Sequence, residues 1–317
     1  MTTPGKEIET VAIVGLGALG ILYGHHLAQR LPWGSLRIVA DAKRSERYQR
    51  DGVFCNGERC HFHYVSPDMQ LEPADLVIFA VKNKDLPDAI QTARHQVGPQ
   101  TIIISVMNGI TSEEVIARTF GDEKLLYCTA QGMSAVKVGN QQKYDKIGSL
   151  FIGEKTPGVI SEKAKRIDRF LDRMDIPHEI ATDMLRRLWS KFMLNVGVNQ
   201  VVAVYEGNYR TVQQPGAARD LMIAAMREVI GLAEKEGIGL QEADITWWLR
   251  VLDALDPEGK PSLRQDLEAG RASEVDLFAG TVLALGQKHS LATPVNQMLY
   301  EKIIAIESRF GNHFGNQ

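Results

Sequence analysis

Lys191, Asn195 and Asn199 recur at i, i+4 and i+8 in a stretch, Leu185 to Val204, whose apolar spacing predicts a helix. At that spacing the three side chains form one gently drifting polar stripe. Trp189, Phe192, Met193 and Val196 lie to one side of it, and Leu194 with Val198 to the other. A helix edge turned to water needs no apolar flank on both sides of its polar stripe, whereas the floor of a cleft does. A lysine and two amides are expensive to bury without partners, which favours the cleft over the plainer alternative, an amphipathic helix with a solvated edge. A lysine ammonium in such a place can hydrogen-bond a carbonyl oxygen and donate a proton to the alkoxide left by hydride delivery. Asparagines read a hydroxyl or carboxylate without adding charge.

A hydride needs a nicotinamide to carry it, and the chain opens with a pattern for one. Gly15-Leu16-Gly17-Ala18-Leu19-Gly20 follows the apolar run Thr10 to Val14 directly and opens a helical stretch to Arg30. In this pattern the first glycine makes a tight turn and the second lets backbone approach a pyrophosphate. The third lets the helix pack close to the sheet, with the anion at the helix N-terminus. A lone glycine pattern is weak, but here a strand, a helix and a second strand some twenty residues on agree with it. Asp41 ends that second strand, where a carboxylate accepts from ribose hydroxyls and favours NAD. Lys43 and Arg44 follow at once; they either neutralise a 2′-phosphate or are simply a solvated helix start.

These residues need a scaffold, and the first half supplies a strand–helix alternation. Strands are predicted at Thr10–Val14, Leu36–Ala40, Leu76–Val81 and Thr101–Val106, with edge strands within Leu125–Ala135 and Ser149–Gly153. Such continuous apolar strands predict an α/β fold, a Rossmann-type, mostly parallel sheet with helices on both faces. Thr111 with Glu114 reads as a capping box. After Asp183 the patterns are helical: 184–205, 214–237, 241–254, 272–289 and 294–309. The predicted organisation is a dinucleotide-binding domain, 1–182, and an all-helical substrate domain, 183–317. The tail GNHFGNQ reads as frayed.

At 317 residues the chain is long enough for two domains with cores of their own. Its formal charge of −3, from 36 basic and 39 acidic residues, excludes a broad basic surface, so nucleic acid and anionic membrane are poor partners. No apolar run approaches a membrane span, the N-terminus shows no export pattern, and three cysteines make no disulfide framework. A cytoplasmic, soluble enzyme is expected.

The chain resembles the ketopantoate reductases (2-dehydropantoate 2-reductases) over nearly its full length. The resemblance rests on VAIVGLGALG, on FAVK ending at Lys82 and on Met107-Asn108-Gly109. It continues in KFMLNVGVNQ from Lys191 to Gln200 and PSLRQDLEAGRASEVD from Pro261 to Asp276. It implies a Rossmann domain that binds NADPH, with Asp41 keeping NADH open, an all-helical domain that closes over it, and reduction of ketopantoate to pantoate on the way to pantothenate and coenzyme A. Carried over, Lys191 is the general acid, and Glu274 holds a substrate hydroxyl and orients Lys191. Asn195 and Asn199 hydrogen-bond the substrate, Ser262 binds its carboxylate end, and Asn108 stands by the nicotinamide ribose and the substrate. Lys82 lies near the cofactor. Ser273 can cap a helix whose first turn holds Glu274 and Asp276. Three residues depart from the pattern: Asp41 where a basic residue is frequent, Met107 where a glutamine is common, and Gln200 where a proline usually follows. The last two are expected beside the substrate, which keeps another 2-oxo acid in view.

Other readings are weaker. CNGERCHFH, Cys55 to His63, resembles a metal cluster, but Asn56-Gly57 is a hairpin signal, and alternation turns Cys60, Phe62 and Tyr64 away from His61 and His63; no metal is expected. Cys128 reads as core and Trp247-Trp248 as packing. The competing functions are a β-hydroxyacid dehydrogenase and a non-catalytic NADPH-sensing regulator, which would need no proton donor. A homodimer is compatible with all three.

Overall fold

A strand that is apolar on both faces must be covered on both, and the computed structural model, which describes residues 6–311, has that arrangement. The readings made for the first five residues and for the tail beyond Gly311 lie outside the described residues. In chain order the first unit contains β1 (Val11–Val14), α1 (Ala18–Ala28), β2 (Leu36–Val39) and α2 (Ala42–Asp51). Three short strands follow, β3 (Phe54–Cys55), β4 (Glu58–Arg59) and β5 (His63–Val65). Then come β6 (Leu76–Phe79), α3 (Leu86–Ala93), β7 (Ile102–Ser105) and α4 (Ser112–Phe120). The unit continues with β8 (Tyr127–Gln131), β9 (Ala135–Val138), β10 (Gln141–Tyr144), β11 (Ser149–Gly153), α5 (Glu162–Arg173) and β12 (His178–Ile180).

Strands β5-β2-β1-β6-β7 form one parallel sheet in that order. The chain reverses direction across the sheet beside β1, which opens a crevice at the carboxyl ends of β1 and β6. Alternate residues divide between two cores, as a period of two requires. Val11, Ile13, Ile78 and Ile104 pack with Leu22 of α1 and Phe170 of α5. Ala12, Val14, Phe79 and Ile103 pack with Leu86 and Ile90 of α3 and Ile116 of α4. The carboxylate of buried Asp75 fixes the start of β1 against β6. It accepts from the Glu9 and Thr10 backbone N–H groups at 3.0 Å each, from Thr10 Oγ1 at 2.9 Å and from Lys6 Nζ at 2.9 Å.

Two smaller sheets complete the unit, β12-β11-β8 and β4-β3-β10-β9. The expected edge strand within Leu125–Ala135 ends at Gln131, and Ala135 begins a separate hairpin, β9–β10, whose mixed polar sequence carries little apolar signal. The Asn56-Gly57 turn is present, with φ of 50° and 86° joining β3 to β4, the two left-handed residues that a type I′ hairpin needs. It buries Cys55 and Cys60. Burial pushes their thiols up to about 11 and about 12, and among the described residues this segment gathers no set of three metal-type ligands. The Thr111 capping box is not formed: Thr111 has helical backbone angles and its side chain makes no cap. The neighbouring Ser112 hydroxyl turns inward instead, as described below.

The chain divides into two compact units, Met1–Leu185 and Arg186–Gln317. The second is helical: α6 (Met184–Val204, its first two residues in the first unit), α7 (Arg210–Gln213), α8 (Ala217–Lys235), α9 (Glu242–Asp253), α10 (Ser262–Glu268), α11 (Thr281–His289) and α12 (Pro294–Gly311). The short α7 and α10 escape a periodicity reading because neither completes two turns. Gly197 lets α8 approach α6, since a Cβ there would lie 2.6 Å from Met226 Cγ. Trp248 is buried and donates from Nε1 to Ser190 Oγ at 2.8 Å, a packing role, while half of Trp247 remains exposed. Among the described residues no helix is long and apolar enough to cross a membrane.

Candidate active site

In the first unit the glycine loop joins β1 to α1. Gly15 has φ +100°, a conformation that side chains rarely adopt, and a Cβ on Gly20 would fall 2.0 Å from the Gly15 carbonyl oxygen. The turn therefore tolerates only glycine at both ends. No side chain caps α1 at Gly17, so its first-turn N–H groups and positive dipole end are available to an anion. This cradle fits the pyrophosphate of a dinucleotide. Leu16 is buried and Ala18 and Leu19 half-buried, and Lys137 of β9 donates to the Leu16 carbonyl at 2.7 Å. That lysine had no motif to announce it; only the hairpin brings it to the loop.

Asp41 is the N-cap of α2 and accepts from the Arg44 N–H at 2.7 Å. Its other oxygen lies 3.6 Å from Arg44 Nε. Asp41, Lys43 and Arg44 are all exposed, so one carboxylate and two cations share the first turn, with one cation already beside the carboxylate. Lys82, half-buried and three residues beyond β6, directly precedes a short 3₁₀ turn. Asn108, also half-buried, follows β7 in a turn completed by Gly109 at φ +89°. Beneath that turn the Ser105 and Ser112 hydroxyls are 2.9 Å apart, and Ser112 donates to buried Glu113 at 2.9 Å. Ser105 Oγ also accepts from the Met107 N–H.

In the second unit, α6 carries the stripe. Lys191 and Asn195 are half-buried, Asn199 is 6% exposed, and Trp189, Phe192, Met193, Val196 and Val198 are buried. Asn195 and Asn199 line a pocket of about 70 Å³ whose other walls are Leu194 and Val198 of α6, Tyr209, and Val251, Leu252 and Leu255 from α9 and just beyond it. Burial raises the Tyr209 phenol above its ordinary range, so it stays protonated at neutral pH. Tyr209 is tied by its N–H to the Gly259 carbonyl at 2.9 Å, three residues before Ser262. Ser262 is exposed and opens α10.

Glu274 precedes the helical segment instead of lying in its first turn. Ser273 Oγ accepts from the Val275 N–H at 3.2 Å, and the Ser273 N–H donates to Glu307 of α12 at 2.7 Å. The following five residues, Asp276–Gly280, form a π-helical turn before α11 begins. Such turns concentrate at functional sites, and the apolar period alone did not reveal this one.

The comparisons with known proteins agree with this layout. The Ketopantoate reductase PanE/ApbA family profile matches residues 11–156, and the Ketopantoate reductase PanE/ApbA C terminal profile matches 183–307. The chain belongs to the ketopantoate reductase family. A 2-dehydropantoate 2-reductase of Aquifex aeolicus is 24% identical over 310 residues, 93% of this chain and 96% of that protein. Among solved structures, the ternary complex of D-mandelate dehydrogenase with NADH and anilino(oxo)acetate superposes with a TM-score of 0.84 at 21% identity, covering 95% and 99% of the two chains. The 2-dehydropantoate 2-reductase of Geobacter metallireducens gives 0.80 at 24%, covering 93% and 99%.

Two departures from the family pattern are buried within their own units. Met107 is 7% exposed and packs in the core with Val14, Phe79 and Ile116. Gln200 is fully buried on the face of α6 opposite the stripe, donating from Nε2 to Val196 O at 2.8 Å and to Asn296 Oδ1 at 3.0 Å. On α6, the Gln200 side chain is thus turned away from Asn195 and Asn199. The third departure, Asp41, is exposed at the expected place.

Proposed function

We propose that this ketopantoate reductase family member reduces the keto group of a small 2-oxo acid, ketopantoate, to the hydroxy acid pantoate, the step that leads toward pantothenate. The observation that carries the reading is the α6 stripe: Lys191 and two asparagines on one helix face, with nearly buried Asn199 facing a pocket. The nicotinamide supplies the hydride when bound. Gly15, Gly17 and Gly20 shape the loop that receives its nucleotide, with Leu16, Ala18 and Leu19 lending backbone. Lys82 and Asn108 stand at the strand ends that face the crevice.

Lys191 polarises the keto oxygen and gives it a proton from Nζ, which removes the cost of an unneutralised alkoxide. Glu274 acts on a substrate hydroxyl and orients Lys191, its carbonyl accepting from the Leu277 and Phe278 N–H groups of the π turn while Glu307 accepts from the adjoining Ser273 N–H. Asn195 and Asn199 hydrogen-bond the substrate, and Ser262 binds its carboxylate end. The hydride donor is proposed to be NADPH, with Lys43 and Arg44 receiving the 2′-phosphate. Asp41 favours NADH as the second reading, because its capping geometry fixes a carboxylate where ribose hydroxyls would donate and sets it against a phosphate.

The test is a steady-state absorbance assay of nicotinamide oxidation with ketopantoate, run with NADPH and NADH in parallel. Turnover is expected, faster with NADPH. In Lys191→Ala, kcat is expected to fall by about 10² to 10⁴ while nucleotide binding, read by fluorescence, is retained. Unchanged turnover removes Lys191 as the acid, and nucleotide binding without turnover of any oxo or hydroxy acid removes the reductase reading.

A further inference from the structure

Away from the residues discussed so far, α5 and β12 bring three metal-type side chains together. Asp168 and Asp172 stand one turn apart on one face of α5, and His178 opens β12, which returns beside that helix. The turn between them is held from within: the Met174 and Ile176 N–H groups donate to the Phe170 and Leu171 carbonyls at 3.0 Å each. The His178 side chain is only 7% exposed, and its Nε2 lies 3.1 Å from Asp168 Oδ1 and 3.9 Å from Asp172 Oδ1. The three ligand atoms all lie within 4.8 Å of one another. Asp172 is 76% exposed, so the group opens to solvent on its side.

The far ring nitrogen decides what Nε2 can offer. Nδ1 lies 2.9 Å from the Ile176 carbonyl oxygen, which can only accept, so Nδ1 carries a proton. In a neutral imidazole the other nitrogen then presents a lone pair. That lone pair faces a carboxylate oxygen at hydrogen-bond distance, and two acceptors so placed repel unless a cation stands between them. A proton on Nε2 offsets one of the two carboxylate charges; a divalent ion offsets both. No side-chain cation does so: among the described residues neither Asp168 nor Asp172 pairs with a lysine or arginine. The basic residues of the same helix are engaged elsewhere, Arg169 and Arg173 with Glu7 and Lys165 with Glu162. An imidazole that donates its other N–H to a backbone carbonyl is also the form in which histidine ligates metals, since the carbonyl fixes both tautomer and ring orientation.

We infer that Asp168, Asp172 and His178 bind one divalent transition-metal ion of the Zn²⁺ type, with water in its remaining positions. At bond lengths of about 2.0–2.2 Å, tetrahedral ligands stand about 3.4 Å apart, between the two separations from Nε2, and the exposed Asp172 side chain closes the longer one by a change of rotamer. Imidazole suits Zn²⁺ and its neighbours, whereas Mg²⁺ and Ca²⁺ take oxygen ligands. The ion ties α5 to β12 across the turn at 174–177, so its effect is to brace the first unit, and it takes no part in the proposed reduction.

The test is calorimetric titration of Zn²⁺ into the full-length protein after stripping with EDTA and dialysis, with Mg²⁺ as the control ion. Saturable Zn²⁺ binding is expected, and much weaker binding of Mg²⁺. Asp172→Asn is the primary variant, because that side chain is 76% exposed and its change spares the core; Asp168→Asn is the second. Each is expected to weaken Zn²⁺ binding by at least about 10-fold, the loss that follows even when only a ligand's supporting partner is removed. Zn²⁺ should raise the Tm of the unaltered protein more than that of either variant. Nitrogen NMR of the His178 ring supplies a readout at the site itself: Nε2 is expected to shift on addition of Zn²⁺ while Nδ1 keeps its proton. Absence of saturable Zn²⁺ binding overturns the inference, as does equal affinity in the unaltered protein and both variants, or a His178 Nε2 that stays protonated at saturating Zn²⁺. Mg²⁺ binding as tight as that of Zn²⁺ overturns the assignment of the ion.

Discussion

A side chain's meaning depends on the direction in which the backbone presents it, and α6 illustrates this within ten residues. Asn199 and Gln200 are neighbours in sequence and both amides, yet one lines a pocket and the other is locked in the core. Gln200 belongs to a chain of polar groups: Asn296 accepts from it and donates through Nδ2 to Glu228 Oε2 at 2.7 Å, and Glu228 also accepts from the Val295 and Asn296 N–H groups. A half-satisfied buried network costs more than none. Asn296→Leu is therefore expected to destabilise the protein by about 1–3 kcal/mol, read as a lower urea midpoint at unchanged slope. An unaltered midpoint would show the network to be energetically idle.

Between elements, the register of β1 on β6 depends on one carboxylate. Burial of Asp75 opposes its charge, but hydrogen bonds from Lys6, the backbone of Glu9 and the backbone and side chain of Thr10 outweigh it and hold the carboxyl below its usual range. A group depressed in the folded state adds stability above its unfolded value and loses it as pH falls through the folded one. The stability gap between the unaltered protein and Asp75→Asn should thus be level above about pH 5 and close on acidification below about pH 4. A gap that stays constant down to the acid transition would assign the loss to packing. The same strand ends position the glycine loop, since the Ala80 N–H donates to Val14 O at 2.9 Å, so error in this register would reach the nucleotide cradle.

For the molecule as a whole, two compact units with internal cores imply two thermodynamic transitions or one broadened by their partial independence. In scanning calorimetry the van't Hoff enthalpy is expected to fall below the calorimetric one. If the glycine loop binds the nucleotide as proposed, saturating NADPH, at 100 times its dissociation constant, should stabilise the first unit by about 2.7 kcal/mol. A single sharp two-state transition would show that the units unfold as one, and no nucleotide-dependent shift would count against the glycine loop as the binding site.

Local rules in the sequence determined the parallel sheet, the glycine loop, the stripe on α6 and the hairpin at Asn56-Gly57. Each follows from periodicity or from a turn conformation that only certain residues adopt, and both act over a few residues. The π turn after Glu274, the inward Ser112 in place of a capping box, Lys137 at the Leu16 carbonyl and the core positions of Met107 and Gln200 were decided by tertiary structure. Each joins residues distant in the chain or selects one of two faces that sequence spacing leaves equivalent. The pocket at Asn199 belongs with them: its polar floor was legible as part of the stripe, but its width is fixed by Tyr209 and α9, whose approach to α6 depends on packing against residues elsewhere in the unit.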